Sequence, residues 1–221
     1  MFIAREDVPP QGFLRPRLVD KNQVSFALIR EWLSECDDAH GKKCSHHPWA
    51  TSSDSPSTLR VIDVQNDCLV TAPPDCRYIT LSYVWGAGKT VTLHEKDMPS
   101  LSMPGSLLKH HGSVAQTILD AMKLTREIGE RYLWVDGICI FQDSADKATQ
   151  IAAMDQVYSN SMLTIVAASG IDSSAGLPGV RHGSRQDHPQ QKVASASNVH
   201  FFKPMPPPPS LSLSKWNTRG W

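Results

Sequence analysis

The sequence has no excess of either charge: 22 basic residues face 22 acidic ones over 221 residues, and the formal net charge is zero. No basic block stands out, so neither a nucleic-acid partner nor electrostatic attraction to a membrane surface is expected. No apolar run approaches the length of a bilayer span. The N-terminus, Met1-Phe-Ile-Ala-Arg-Glu-Asp7, lacks the apolar core of a signal peptide. The expected location is therefore cytoplasmic. Cysteines are few and odd in number: Cys36, Cys44, Cys68, Cys76 and Cys139. Without a secretory context they read as reduced thiols and not as a disulfide framework. There is no internal repeat.

A hydrophobic content of 40% is enough for one domain of ordinary size plus extensions. Two stretches carry most of the information, Tyr78-Ile-Thr-Leu-Ser-Tyr-Val-Trp-Gly86 and Arg131-Tyr-Leu-Trp-Val-Asp-Gly-Ile-Cys-Ile-Phe-Gln-Asp143. Each is a β-branched and aromatic run ending in polar or small residues. Such a run reads as a strand buried on both faces, over 78–84 and 132–140, delivering Ser, Asp or Gln at its end. Val114, Ile118, Ala121, Met122 and Thr125 share a helical face, so 114–128 reads as a helix between them. Ser113-Val-Ala-Gln116 has capping-box spacing for its start, and Gly129 is a credible stop. Asp143 and Asp146 stand where a helix N-terminus favours negative charge. Ile151, Met154, Val157 and Tyr158 continue that helix, and Leu163–Ala168 follows as a third buried strand. The order is β-α-β-α-β, the signature of an open parallel α/β sheet with flanking helices.

Around this core, 1–22 reads as an irregular arm and 23–39 as a helix with Val24, Leu28, Ile29, Trp32 and Leu33 at helical spacing. Residues 45–57 form a polar linker. Leu59–Val64 and Cys68–Thr71 alternate around Gln65-Asn-Asp67 as a β-hairpin. Residues 86–112 are a long irregular connection. Residues 182–214 are polar and rich in proline, with Pro206 to Pro209 consecutive, and read as a loop without a packed core.

The chain resembles the fungal HET domain, the module of heterokaryon-incompatibility proteins. The residues that carry the resemblance are Leu81-Ser-Tyr-Val-Trp-Gly86, Thr117-Ile-Leu-Asp-Ala121, Tyr132-Leu-Trp-Val-Asp136, Cys139-Ile-Phe-Gln-Asp143, Gln150-Ile151, Met154-Asp155, Tyr158, Ala167-Ala-Ser-Gly170, Gly176-Leu-Pro-Gly179 and Arg219-Gly-Trp221. It covers 58–181 and the last few residues, dividing the chain into an arm, helix and linker (1–57), a core (58–181) and a Pro-rich tail (182–221). The resemblance implies a fungal cytoplasmic protein that triggers cell death when unlike cells fuse, with protein partners, either itself or other HET proteins. It also implies a fold distantly similar to the TIR domain, a flavodoxin-like sheet; some TIR domains cleave NAD with a glutamate. Three positions depart from the family pattern. Val114-Ala115 replace Leu-Pro before the first helix, and Gly137 replaces Ala or Ser. The late motif, which in the family continues into Thr-x-Gln-Glu, ends at Trp221, the expectation for a truncated or degenerate copy.

Ser82, Asp136 and Gln142 lie at predicted strand ends, the edge where open parallel sheets bind ligands. Asp136 is the candidate catalytic carboxylate, able to orient a ribose hydroxyl or act as a general base; it could equally cap the following turn or pair with an Arg. Trp85 and Trp134 could stack on a planar ligand such as NAD or pack in the core. Asp143 belongs to a polar rim or simply complements a helix dipole. Cys139 reads as a small buried hydrophobe rather than a nucleophile. Gly86-Ala-Gly-Lys-Thr90 lacks the first glycine of a phosphate loop, Tyr83 standing in its place. Cys36, His40 and Cys44 have metal-ligand residue types, but no second pair completes a zinc set. No resident cofactor is expected, and His110-His111 read as a solvated loop.

Overall fold

The computed structural model describes residues 2–5, 19–20, 22–39, 58–86, 91–109, 114–185, 192–196, 199–202 and 213–218. In chain order the elements are β1 (Phe2–Arg5), α1 (Phe26–Ala39), β2 (Arg60–Asp63), β3 (Cys68–Thr71), β4 (Tyr78–Ser82), α2 (Met98–Leu101), α3 (Ser106–Lys109), α4 (Gln116–Glu127), β5 (Tyr132–Trp134), α5 (Asp136–Cys139), α6 (Lys147–Ala152), α7 (Met154–Ser159), β6 (Leu163–Val166), β7 (Lys192–Ala196) and β8 (Val199–Phe202).

An open five-stranded sheet in the order β3-β2-β5-β4-β6 forms the centre. β5, β4 and β6 run parallel, and the β2–β3 hairpin adds antiparallel to β5, so the sheet is mixed. β4 is buried along its whole length because neighbours flank it on both sides and helices cover its faces. Its inward hydroxyls are satisfied: Thr80 Oγ1 lies 2.8 Å from Thr164 Oγ1 and 3.1 Å from Ser161 Oγ. Ile79, Leu81, Leu133, Ile62, Leu69 and Ile118 are fully buried, each contributing about 1.5–3 kcal/mol. The hairpin turn is fixed by Asp67 at φ +49 and by Asp63, whose carboxylate accepts the Gln65 and Asn66 amides at 3.0 and 3.2 Å.

From β4 the chain passes through α4 to β5 on one side, then through α6 and α7 back across β4 to β6 on the other. Right-handed crossovers in opposite directions set these helices on opposite faces. The carboxyl ends of β4 and β5 then lie at the switch point, where open α/β sheets form a crevice. α1 docks on this body through Phe26, Ile29 and Leu33, and Arg77 ties it down by reaching Asp37 at 3.3 Å and Glu130 at 3.1 Å.

Several sequence expectations change. The 132–140 strand ends at Trp134, and Asp136–Cys139 is a single helical turn: the Ile138 and Cys139 amides bond to the Val135 carbonyl, and Gly137 N–H to Asp136 Oδ1 at 2.7 Å. The α4 cap is Ala115 with no side-chain cap bond. Ser113 lies outside the described residues, Gln116 gives its amide to Asp120, and the Thr117 amide is satisfied by the Ser173 carbonyl. The helix after β5 is two, α6 and α7, broken at Ala153. β6 is the sheet edge and only partly buried. Most distinct, the arm and the Pro-rich tail supply a second, three-stranded antiparallel sheet, β1-β8-β7, with Phe2 registered against Phe202. Proline-rich flanks hide these short strands, and their pairing spans nearly the whole chain.

Candidate functional site

Thr80 and Trp134 are the last registered pair of β4 and β5. Ser82 and Asp136, each two residues further on, therefore leave the sheet at the same level. Asp136 opens the turn of α5 and is 6% exposed. Both its oxygens lie 3.0 Å from Trp85 Nε1, which donates a shared hydrogen bond, and Oδ1 also takes the Gly137 amide. Gly137 packs closely here: a Cβ there would stand 3.1 Å from the Tyr83 hydroxyl and 3.5 Å from Trp85 Cζ2, so a larger residue requires the Tyr83 hydroxyl to give by a few tenths of an ångström. Ser82 is 1% exposed, and its Oγ accepts the indole N–H of Trp216 at 2.8 Å. Two indole donors, one from the loop after β4 and one from the C-terminal segment, thus close the edge over the serine and the carboxylate.

The Trp85-Gly86 loop is held from below. Ser173 donates both its hydroxyl and its amide to the Trp85 carbonyl, at 2.8 and 3.4 Å. Gly86 has φ +73, and a Cβ there would fall 2.3 Å from Asp172 Cβ, so only glycine passes. Beside it lies a latch that joins two distant motifs. Asp120 of α4, 1% exposed, accepts Gln116 Nε2 at 2.8 Å and Arg181 Nε at 2.9 Å on one oxygen. Its other oxygen takes the Leu177 amide at 2.8 Å. Thr117 Oγ1 accepts the Gly176 amide at 3.1 Å. Gly-Leu-Pro-Gly thereby wraps the start of α4. A third clamp is Arg60, buried at 6%, which donates to the Cys139 carbonyl at 3.0 Å and to Gln150 at 2.6 Å while its guanidinium sits 4.0 Å over the Phe141 ring.

The sequence-derived site residues do not all converge. Ser82, Trp85 and Asp136 share the strand edge. Trp134 is a correction: at 2% exposure, with Tyr158 edge-on at 5.5 Å, it has no face for a ligand and is part of the core. Gln142 and Asp143 are held by the 93–95 segment. The Gln142 amide N–H bonds to the Leu93 carbonyl at 2.8 Å and its side chain to the Ile140 carbonyl at 3.0 Å. Asp143, three residues before the α6 cap and outside its first turn, accepts the Glu95 amide at 3.0 Å and lies 3.4 Å from His94 Nδ1. Partial desolvation opposes its ionisation, but the Glu95 amide and His94 outweigh it, so its carboxyl sits below the usual range. Cys139 is fully buried, and desolvation pushes its thiol up to about 12, which removes it as a nucleophile. His40, Cys44, His110, His111 and residues 87–90 lie outside the described residues. Among the described residues no cluster of three His, Cys, Asp or Glu could hold a metal, and no helix is long and apolar enough to cross a membrane.

Asp120, Arg60, Ser173 and Trp216 escape the sequence reading. The available signal for Asp120 is a carboxylate on the inward face of a helix, which needs a buried partner; the others carry no local signal.

These features define an open α/β module whose carboxyl edge is closed by paired indoles and whose first crossover helix is latched by a glycine-flanked loop. The family model described as heterokaryon incompatibility protein (HET) matches residues 78–221, a span that contains the parallel strands, both indoles and the latch but not Arg60 or the β2–β3 hairpin, and the chain belongs to that family. No curated protein matches it, and no solved structure does.

Proposed function

We propose that this chain is a fungal nonself-recognition module that triggers programmed cell death by protein–protein assembly in the cytoplasm, with itself or other HET proteins as partners. The observation that carries this reading is what the family's motif residues do. Trp85, Asp120, Asp136 and Gly176 are spent on holding loops to the sheet, and the strand edge is closed over Ser82. A rigid, closed module suits a signalling platform. Expression in a fungal host from a graded promoter tests it. Death should rise steeply with protein level and persist in Asp136→Asn; a requirement for Asp136 at every level, in an Asp136→Asn chain that keeps the wild-type urea midpoint, would refute it.

A second reading, a TIR-like NAD or nucleotide glycohydrolase, draws on one feature. The group that covers Ser82 is a planar nitrogen heterocycle, the Trp216 indole, and a nucleobase or nicotinamide ring is also a planar nitrogen heterocycle. In that reading Trp216 swings away, Ser82 and Trp85 position the ligand, and the Asp136 carboxylate stabilises the oxocarbenium-like charge as the glycosidic bond breaks. Loss of NAD in a purified mixture, abolished by Asp136→Asn and raised by Trp216→Ala, would favour it.

A further inference from the structure

The two edges of the five-stranded sheet are built differently. Both edge strands are four residues long, but the hairpin edge is covered: the Gly105 and Leu107 amides at the start of α3 bond to the Asn66 and Asp67 carbonyls at 2.7 and 3.0 Å, and α2 and α3 pack on β3. At the other end β6 pairs only with β4 among the described residues. An open edge presents a ladder of unpaired backbone groups, and proteins usually blunt such edges with charge, proline, a bulge or a covering element. β6 has none of the first three. Residues 156–171 contain no Asp, Glu, Lys, Arg, His or Pro, and the β4–β6 register runs without a shift. Val166 is 41% exposed and Ile171 76%.

We propose that β6 is a homotypic pairing edge, which takes β6 of a second copy of this chain antiparallel across a two-fold axis and joins two five-stranded sheets into one. The inference deepens the assembly reading above and rests on it. The occupant follows from the charge pattern. A two-fold axis pairs residue i with j and j with i, so a charge at the axis meets its like and any other charge needs its opposite at the paired position. A strand that serves an unlike partner can carry charge; a strand free of it over sixteen positions is suited to its own copy. Leu163, Thr164, Ile165 and Val166 have high β propensity, and a chain of zero net charge meets no long-range repulsion from its copy.

The test is sedimentation velocity of the full chain from low to high micromolar concentration, with amide hydrogen exchange over 162–167. The expected result is a monomer–dimer equilibrium in which β6 amides slow as concentration rises. Val166→Lys, at an exposed position, should raise the dissociation constant roughly tenfold or more and leave the urea midpoint within error of wild type. A monomer at all concentrations overturns the proposal, as does a dimer that Val166→Lys leaves intact or β6 protection independent of concentration, the sign of an edge covered within the chain or by another surface. Should Val166→Lys fail to fold, the exchange experiment on the wild type decides alone. Concentration-dependent killing by a chain whose β6 does not pair would remove this edge and leave the assembly reading standing.

Discussion

Asp120→Ala removes the latch between α4 and Gly-Leu-Pro-Gly. The Leu177 amide loses its acceptor in a buried place, which costs about 1–3 kcal/mol. Arg181 also loses its partner, but its side chain is 46% exposed and water replaces the carboxylate, so that part is about 0–1 kcal/mol. Gln116 is half-buried and turns outward. The expected loss is about 1–4 kcal/mol. Asp120→Asn keeps one oxygen for Leu177 but turns an NH2 toward the Arg181 and Gln116 donors, and should lose about half as much. Gly176→Ala probes the same contact from the other side: its Cβ would stand 2.5 Å from Asp120 Oδ2 and 2.9 Å from Arg181 Nη2, at φ +76. In an Asp120→Ala background the nearest obstacle is gone, so the double variant should fall short of additivity by about 1 kcal/mol. Urea unfolding midpoints at constant slope measure the wild type and the four variants. Asp120→Ala within about 0.5 kcal/mol of wild type, or strict additivity of the pair, would refute the latch.

Other outcomes follow from the same geometry. Gly86→Ala should cost more than about 2 kcal/mol because strain at φ +73 adds to the collision with Asp172, whereas Gly105→Ala, at φ +74 with open space around it, should cost only about 1–2 kcal/mol of backbone strain; thermal melts compare the two. Burial opposes ionisation of Asp63, yet bonds from Arg131, Asn66 and the Gln65 and Asn66 amides outweigh it, so its folded carboxyl titrates below the ordinary value. Its contribution is then complete above the unfolded pKa of about 3.9 and lost as pH falls through the lower folded one. Asp63→Asn should flatten the acid limb of stability against pH below about pH 4. Burial pushes Cys76 up to about 11 and Cys139 to about 12; mass-resolved alkylation at mild alkaline pH should modify Cys139 only on the timescale of unfolding.

What the sequence reveals and hides follows from where the information resides. β4, the β2–β3 hairpin and α4 come from local periodicity, and local periodicity places them. Inside Val135–Ile140 the Asp136-Gly137 pair is a turn signal, but the β-branched and apolar residues on both sides outweigh it in a strand reading, and only the structure shows Asp136 capturing the Gly137 amide where β5 has ended. Leu163–Ala168 would look the same at the centre of a sheet or at its edge, because an apolar run encodes burial on a scale that neighbours decide. β1 and β8 pair across almost two hundred residues, beyond any window. At the site, Ser82 and Asp136 are visible as strand ends. The Trp85–Asp136 bond is hinted at only by their sharing that edge. The Asp120 latch and the Trp216–Ser82 bond join segments 57 and 134 positions apart, and only the folded chain brings them together.

The most direct test of assembly against catalysis is total NAD followed alongside viability after induction of the chain in a fungal host, for the wild type and Asp136→Asn. Viability should fall in both, with NAD per living cell unchanged. NAD falling ahead of viability in the wild type, with both preserved in Asp136→Asn, would contradict the assembly account and make the strand edge an active site.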